Sequence, residues 1–237
     1  MHVSFTPPAN EVHVWKVPQD GLLDQAHGLA QWLSADERAR ATRFRSPHDR
    51  DRFIVSKAML RSVLGRYLNI APEQVSFRYG EHGKPDLAPG QTTEDLTFNL
   101  THAGGIALCV VALGRRVGID LERKRGGLPL QQIAGQFFSP MELGQWETLP
   151  AAERDEAFFR LWTRKEAFIK ALGSGLAAPL HAIHVALEPG EPAAVLSVPP
   201  GEDARRWLLT DLSVEPGYAA ALCIEGHDCS IRYRVWP

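Results

Sequence analysis

Four residues in the second half of this 237-residue chain have the types and spacing of a reactive centre. Asp120 and Glu122 stand two apart in "VGIDLE" (117–122), and Glu166 and Lys170 stand four apart in "LWTRKEAFIKALG" (161–173). In a β-strand side chains alternate faces, so Val117, Ile119 and Leu121 point one way. Gly118, Asp120 and Glu122 point the other, with the acids roughly 6.6 Å apart along the chain. Like charges that close repel unless water screens them or a cation sits between them. Six residues alone allow two readings: a half-buried strand with a solvated acidic face, or part of an oxygen-rich cation site that needs a third ligand.

A helix is the element that would supply that third ligand. Over 155–173, Phe158, Leu161, Phe168 and Leu172 fall on one stripe and are expected to face a core. Trp162, Glu166 and Lys170 follow one another at i, i+4 and i+8 and form an adjacent stripe, with Lys165 between the two. An ordinary surface helix explains the Glu–Lys spacing, a pair worth only about 0.3–0.5 kcal/mol. It does not explain a tryptophan on the same stripe.

Around this helix the elements occur twice. The first half has a strand at 11–17 ("EVHVWKV"), a helix at 33–44 with Ser34 and Glu37 in capping-box relation, and a helix at 49–68. The second half has Ser139 and Glu142 in the same relation within 137–149, then the helix 155–173. Four β-like segments follow, at 182–187, 207–212, 218–224 and 230–236. Between the halves lie a Gly/Pro-rich loop at 80–96 and an expected meander, 96–102, 106–113 and 117–122, turning at 103–105 and 114–116. Segments 52–65 and 160–173, laid over each other, share Arg, Lys, Leu and Gly, a weak internal repeat. The expected fold is α+β: two similar halves in a pseudo-twofold arrangement, 1–115 and 116–237, with a ligand cleft between them. Each half has a small, mostly antiparallel sheet and a long helix.

Composition excludes several classes. Hydrophobic residues make up 44% and charged residues 23%, the balance of an ordinary globular chain. A net charge of −2 offers no global basic field for nucleic acid or anionic membrane. The first ten residues lack a signal-peptide pattern, and the longest apolar run, "IALCVVAL" (106–113), is eight residues, far short of a span. The three cysteines, Cys109, Cys223 and Cys229, form no CxxC pair and fit a reducing cytoplasm. A His181–His184 pair lacks further ligands, and GxGxxG, Walker A and GxSxG motifs are absent from the sequence.

Taken in order, "FNLTHAGG" (98–105), Gly83-Lys84-Pro85, "VGIDLE", "FFSPME" (137–142) and "FFRLWTRKEAFIKALGSGL" (158–176) resemble the signature of the 4′-phosphopantetheinyl transferases. The two-half length resembles the Sfp type, and the resemblance spans nearly the whole chain. It implies an enzyme that moves 4′-phosphopantetheine from coenzyme A to a serine of an acyl or peptidyl carrier protein, releasing adenosine 3′,5′-bisphosphate. By the same resemblance Asp120, Glu122 and Glu166 would hold Mg²⁺, a hard ion suited to a few carboxylates plus substrate phosphate. Glu166 would be the general base, largely ionised near neutral pH, and Lys170 would stabilise the transferring phosphate. Lys165 would touch a phosphate, Lys84-Pro85 the nucleotide, and Thr101-His102, with Arg40, the 3′-phosphate. The chain departs from the pattern at Thr101, where serine is common, at Ala103, where a second hydroxyl often stands, and at Glu37, where some relatives have lysine.

The expected protein is a cytoplasmic monomer with coenzyme A and a carrier protein as partners, and with no nucleic acid or membrane. Two other readings stay open. One is a non-catalytic carrier-protein or CoA-binding module, which would have no need of three acids and Lys170 together. The other is a Mg²⁺-dependent hydrolase of CoA-like pyrophosphates.

Overall fold

The computed structural model describes residues 7–80, 83–92, 95–173, 180–187 and 191–236. Parts of the expected 80–96 loop, and residues 174–176 of the last motif, lie outside these. The chain is α+β, as expected, and divides into two compact units. The first comprises Met1–Gly80, Pro85–Gly114 and Ser230–Pro237; the second comprises Glu81–Lys84 and Arg115–Cys229.

The first unit begins with β1 (Glu11–Pro18), then α1 (Ala26–Leu29), α2 (Ala35–Ala41) and α3 (Pro47–Leu68). A two-stranded sheet of β2 (Phe77–Tyr79) and β3 (Pro85–Leu87) follows, and then the hairpin β4 (Leu96–Ala103) and β5 (Ile106–Leu113). The hairpin turns on Gly104 and Gly105, whose φ values of 52° and 92° are the left-handed pair that a two-residue turn needs. The core lies between α3 and the sheet, with Met59, Leu60, Val63 and Leu64 against Trp15, Val17, Phe98 and Cys109.

The second unit runs through the same elements. β6 (Val117–Arg123) leads to α4 (Leu130–Phe137), α5 (Pro140–Thr148) and α6 (Ala151–Leu172). A two-stranded sheet of β7 (His184–Val185) and β8 (Val195–Ser197) follows, then β9 (Trp207–Asp211) and β10 (Tyr218–Glu225). Sheet order confirms the parallel: β1-β5-β4 in the first unit and β6-β10-β9 in the second, every pairing antiparallel. Both long helices have 22 residues and end on a left-handed residue, Asn69 and Gly173. The second core gathers Phe138, Trp146, Phe158, Leu161 and Phe168 with Trp207 and Cys223. All three cysteines are free.

Three expectations change. The meander stops at β5, because β6 pairs with β10 and not with β5. Arg116 pins that choice, with its guanidinium 2.9 Å from Glu225 and 2.9 Å from Glu202, at the β10 end of the second sheet. The division at residue 115 also fails for the last strand: β11 (Ser230–Val235) pairs in parallel with β1 of the first unit. There it covers an edge of β1 that would otherwise expose unpaired backbone groups. Finally, α6 starts four residues earlier than expected, since the helix formers of "AAERD" directly follow Pro150.

The internal repeat is real, but its register differs from the sequence overlay. That overlay matches Lys57 with Lys165. In the fold, Arg61 and Lys165 each stand fourteen residues after the first residue of their 22-residue helix. The true correspondence is one helical turn away.

Candidate active site

The acidic face of β6 packs on α6, not on solvent. Gly118 is the reason: a Cβ there would stand 2.1 Å from the Ala167 carbonyl oxygen and 2.3 Å from the Ala171 amide nitrogen. Only glycine lets the helix backbone come this close to the strand. Asp120, two residues on along the same face, is therefore buried at 4% exposure and meets the helix stripe at Lys170. The Lys170 ammonium donates to Asp120 Oδ1 at 2.5 Å.

Glu122 and Glu166 complete the cluster. Burial, then the charge of Asp120, raises the Glu122 carboxyl above its ordinary value, against Lys170, Arg125 and a hydrogen bond with Trp162. Trp162 thus has its place on the polar stripe. It stacks on Phe158 (centroids 6.1 Å apart, 12° between planes), stands edge-on to Phe137, and turns its polar end to Glu122. Glu166 is raised by burial first and by Asp120 next, and Lys170 offsets only part of this. The Glu166 Oε1 is buried without a hydrogen-bond partner among the described residues.

Two acids whose pKa is raised beside the Asp120 charge, one of them with an orphaned oxygen, suit a hard cation. Among the described residues, however, no three His, Cys, Asp or Glu side chains are drawn into metal-holding geometry. The Asp120 carboxylate instead holds the ammonium of Lys170.

Lys165 is not where the resemblance puts it. It is 1% exposed, with its ammonium on the Glu142 carboxylate and 2.6 Å from the Ile183 carbonyl oxygen. Glu142 is wholly buried and also accepts the Ser139 amide at 2.8 Å and the Val185 amide at 2.8 Å. The pair ties α6 to α5 and β7, so Lys165 has no access to a phosphate. Its ammonium is disfavoured by burial, which Glu142 counters. Glu142 Oε2 accepts from both the Ser139 amide and Lys165, while Oε1 accepts the Val185 amide, so the buried carboxylate takes more donors than the capping box supplies.

The remaining expected residues stand elsewhere. Lys84 donates to the Lys170 carbonyl oxygen at 2.5 Å, at the negative end of α6. Pro85 opens β3 opposite Tyr79. In the first unit, Thr101 is buried and His102 exposed near the end of β4, and His102 lines a cavity of about 450 Å³ together with Arg40. Glu37 is 5% exposed and accepts Arg61 Nε at 2.7 Å, so its carboxylate serves the scaffold.

Comparison with known proteins now decides the family. Residues 116–223 match the 4′-phosphopantetheinyl transferase superfamily model, and residues 20–113 match a model of a 4′-phosphopantetheinyl transferase N-terminal region. The chain is 41% identical to the 4′-phosphopantetheinyl transferase HetI of Nostoc sp., over 94% of this chain and 91% of that protein. The chain belongs to the 4′-phosphopantetheinyl transferase superfamily. A putative 4′-phosphopantetheinyl transferase of Synechocystis sp. is 33% identical over 83% of this chain and 78% of that protein. The Sfp transferase of Bacillus subtilis is 30% identical over 81% and 82% respectively. The two family models meet close to the boundary between the two units, at residues 113 and 116. No helix of the described residues is long and apolar enough to cross a membrane.

Proposed function

We propose that this transferase moves the 4′-phosphopantetheine group of coenzyme A to a serine hydroxyl of an acyl or peptidyl carrier protein, releasing adenosine 3′,5′-bisphosphate. The single observation that carries the reading is the Asp120–Lys170–Glu166–Glu122 cluster on the β6/α6 seam. Asp120, Glu122 and Glu166 would hold Mg²⁺, with the orphaned Glu166 Oε1 as one donor. Bound there, the ion would neutralise charge on the pyrophosphate of coenzyme A.

The chain's own groups do the rest. Glu166, with its carboxyl raised toward neutrality by burial and by Asp120, is suited to take the proton of the attacking serine. Lys170, 28% exposed at its side chain and one turn along α6, can turn its ammonium to the transferring phosphate. Arg40, Thr101 and His102 would serve the 3′-phosphate, and the Lys84-Pro85 loop the nucleotide. The protein is taken to be a cytoplasmic monomer, and its three cysteines, all free, suit a reducing compartment.

The test is direct. The protein is incubated with coenzyme A, Mg²⁺ and an apo carrier protein, and the carrier is weighed by mass spectrometry. The expected result is carrier heavier by one phosphopantetheine, abolished by EDTA and by Asp120→Ala. Release of phosphopantetheine to water with no carrier gain would favour the hydrolase reading. Binding of coenzyme A with neither outcome would favour a non-catalytic module.

A further inference from the structure

Lys84 makes a contact that a lysine reserved for a nucleotide has no reason to make. Its ammonium donates to the Lys170 carbonyl oxygen at 2.5 Å, and a Cβ on Gly173 would stand 3.7 Å from its Cδ, so its stem lies against the end of α6. Lys84 counts with the second unit, although the chain resumes in the first at Pro85.

The carbonyl it takes belongs to a weak part of the helix. Lys170 is the third residue from the end of α6, and the last four carbonyls of a helix find no amide inside it. Gly173, left-handed at φ 76°, closes the turn by sending its amide to the Ile169 carbonyl oxygen at 3.0 Å. The Lys170 carbonyl takes a side-chain donor, and an ammonium at the negative end of a helix is a favourable one. At the matching turn of α3 the Asn69 and Ile70 amides both reach the Gly65 carbonyl oxygen, and the donors there are backbone.

Lys170 is therefore held at two points: its carbonyl by Lys84 and its ammonium by Asp120 Oδ1 at 2.5 Å. Helix ends fray, and fraying at this turn would swing the Cα–Cβ bond that aims the ammonium. We propose that Lys84 is a positioning residue for the transfer step: by capping the Lys170 carbonyl it fixes the last turn of α6 and aims the Lys170 ammonium at the transferring phosphate. This rests on the function proposed above. It leaves the nucleotide to Pro85 and the loop backbone.

Carrier modification is measured for wild type, Lys84→Met and Lys84→Arg, and for Lys84→Met in a Lys170→Ala background. Methionine keeps an apolar stem and removes the donor, while arginine keeps a donor. Lys84→Met should lower kcat about ten-fold and leave KM for coenzyme A within about two-fold, and Lys84→Arg should recover most of the loss. In the Lys170→Ala background the same change should cost less than about two-fold, since the residue it acts through has gone. A nucleotide contact would do the reverse, with KM raised, kcat kept and the same loss in both backgrounds. That pattern overturns the proposal.

Two readouts do not depend on turnover. Hydrogen exchange of the amides in the last turn of α6 should be faster in Lys84→Met than in wild type. Calorimetric titration with adenosine 3′,5′-bisphosphate, which has the nucleotide without the transferring phosphate, should give the same Kd for both proteins. Unaltered exchange, or a Kd raised by Lys84→Met, overturns the role of Lys84 whether or not carrier is modified. A wild type that modifies no carrier sinks the function reading separately.

Discussion

The two strand–helix seams of this chain share one topology and are filled in opposite ways. In the first unit His13, Trp15 and Val17 face α3: the Trp15 indole donates to the Tyr67 hydroxyl at 2.8 Å, and His13 Nδ1 lies 2.5 Å from the same oxygen. In the second unit the same strand face carries Gly118, Asp120 and Glu122. Arg66 stands over the Trp15 ring at 5.7 Å where, one unit later, Lys170 binds Asp120. Counting from the helix starts, Ser62 occupies the place of Glu166 and Tyr67 that of Ala171. One seam is packed with aromatic volume. The other trades that volume for charge, and the trade is visible as raised acids and an orphaned oxygen. Away from the seam the units agree: Ser34–Glu37–Arg61 and Ser139–Glu142–Lys165 are the same buried device, a capping-box glutamate that anchors a base from the long helix. The two units share one scaffold, and the acidic cluster with its lysine stands on the second seam.

The sharpest break in that symmetry is Glu166. If Glu166 is the base, as proposed, Glu166→Gln keeps size and an oxygen but removes that function, and should depress turnover by roughly 10²–10⁴-fold. That is about 3–5 kcal/mol on the barrier, with less effect on coenzyme A binding. Ser62→Ala, at the matching place, should leave turnover within two-fold. Steady-state carrier modification compares them, and wild-type rates for Glu166→Gln would make the seam structural in both units.

The shared device should respond alike in both units. Breaking a buried ion pair from one side leaves an uncompensated charge, at a cost of about 3–5 kcal/mol. Lys165→Ala and Arg61→Ala should therefore shift urea unfolding by comparable amounts. A Lys165→Ala protein with unchanged stability and a raised KM for coenzyme A would return Lys165 to the phosphate.

Gly118 sharpens the comparison further. Gly118→Ala must push the strand off α6, since the new atom meets helix backbone, and overpacking of this kind costs about 1–3 kcal/mol. Activity should fall by more than stability explains, because Asp120 moves with the strand. Retained activity and melting temperature together would show that the close approach is not needed.

The smallest effect concerns pH in metal-free protein. The folded pKa of Glu122 and of Glu166 is raised above the ordinary 4.5, so the stability they contribute is fully present below that value. It is lost as pH rises through the raised folded pKa. Glu122→Gln should then raise the melting temperature near pH 7 by up to ~4 °C, about 1 kcal/mol in a chain of this size, with the gain vanishing near pH 4. Added Mg²⁺ should reverse the order by stabilising wild type more. A Glu122→Gln protein that melts below wild type at neutral pH without metal would mean the cluster carries no net repulsion.

Local chemistry made much of this legible. Ser34 with Glu37 and Ser139 with Glu142 marked two helix starts, because a capping box closes within four residues. Period-2 alternation put Asp120 and Glu122 on one face, and four-residue spacing put Glu166 and Lys170 on another, since both periods belong to the backbone. The short helix α4 and strands β2, β3 and β8 escaped, being too brief for any period to stand out.

What the sequence by itself determined, then, was which residues share a face and where the two capping boxes start their helices. Which face meets which was decided by tertiary structure. Nothing near Lys165 in the chain names Glu142, twenty-three residues away, as the partner that buries it. Nothing in 114–116 says that β6 leaves one sheet for another, or that the last strand returns to β1 across more than two hundred residues. These depend on which buried charge finds an opposite charge and which strand edge finds a cover, and only the assembled chain can settle either.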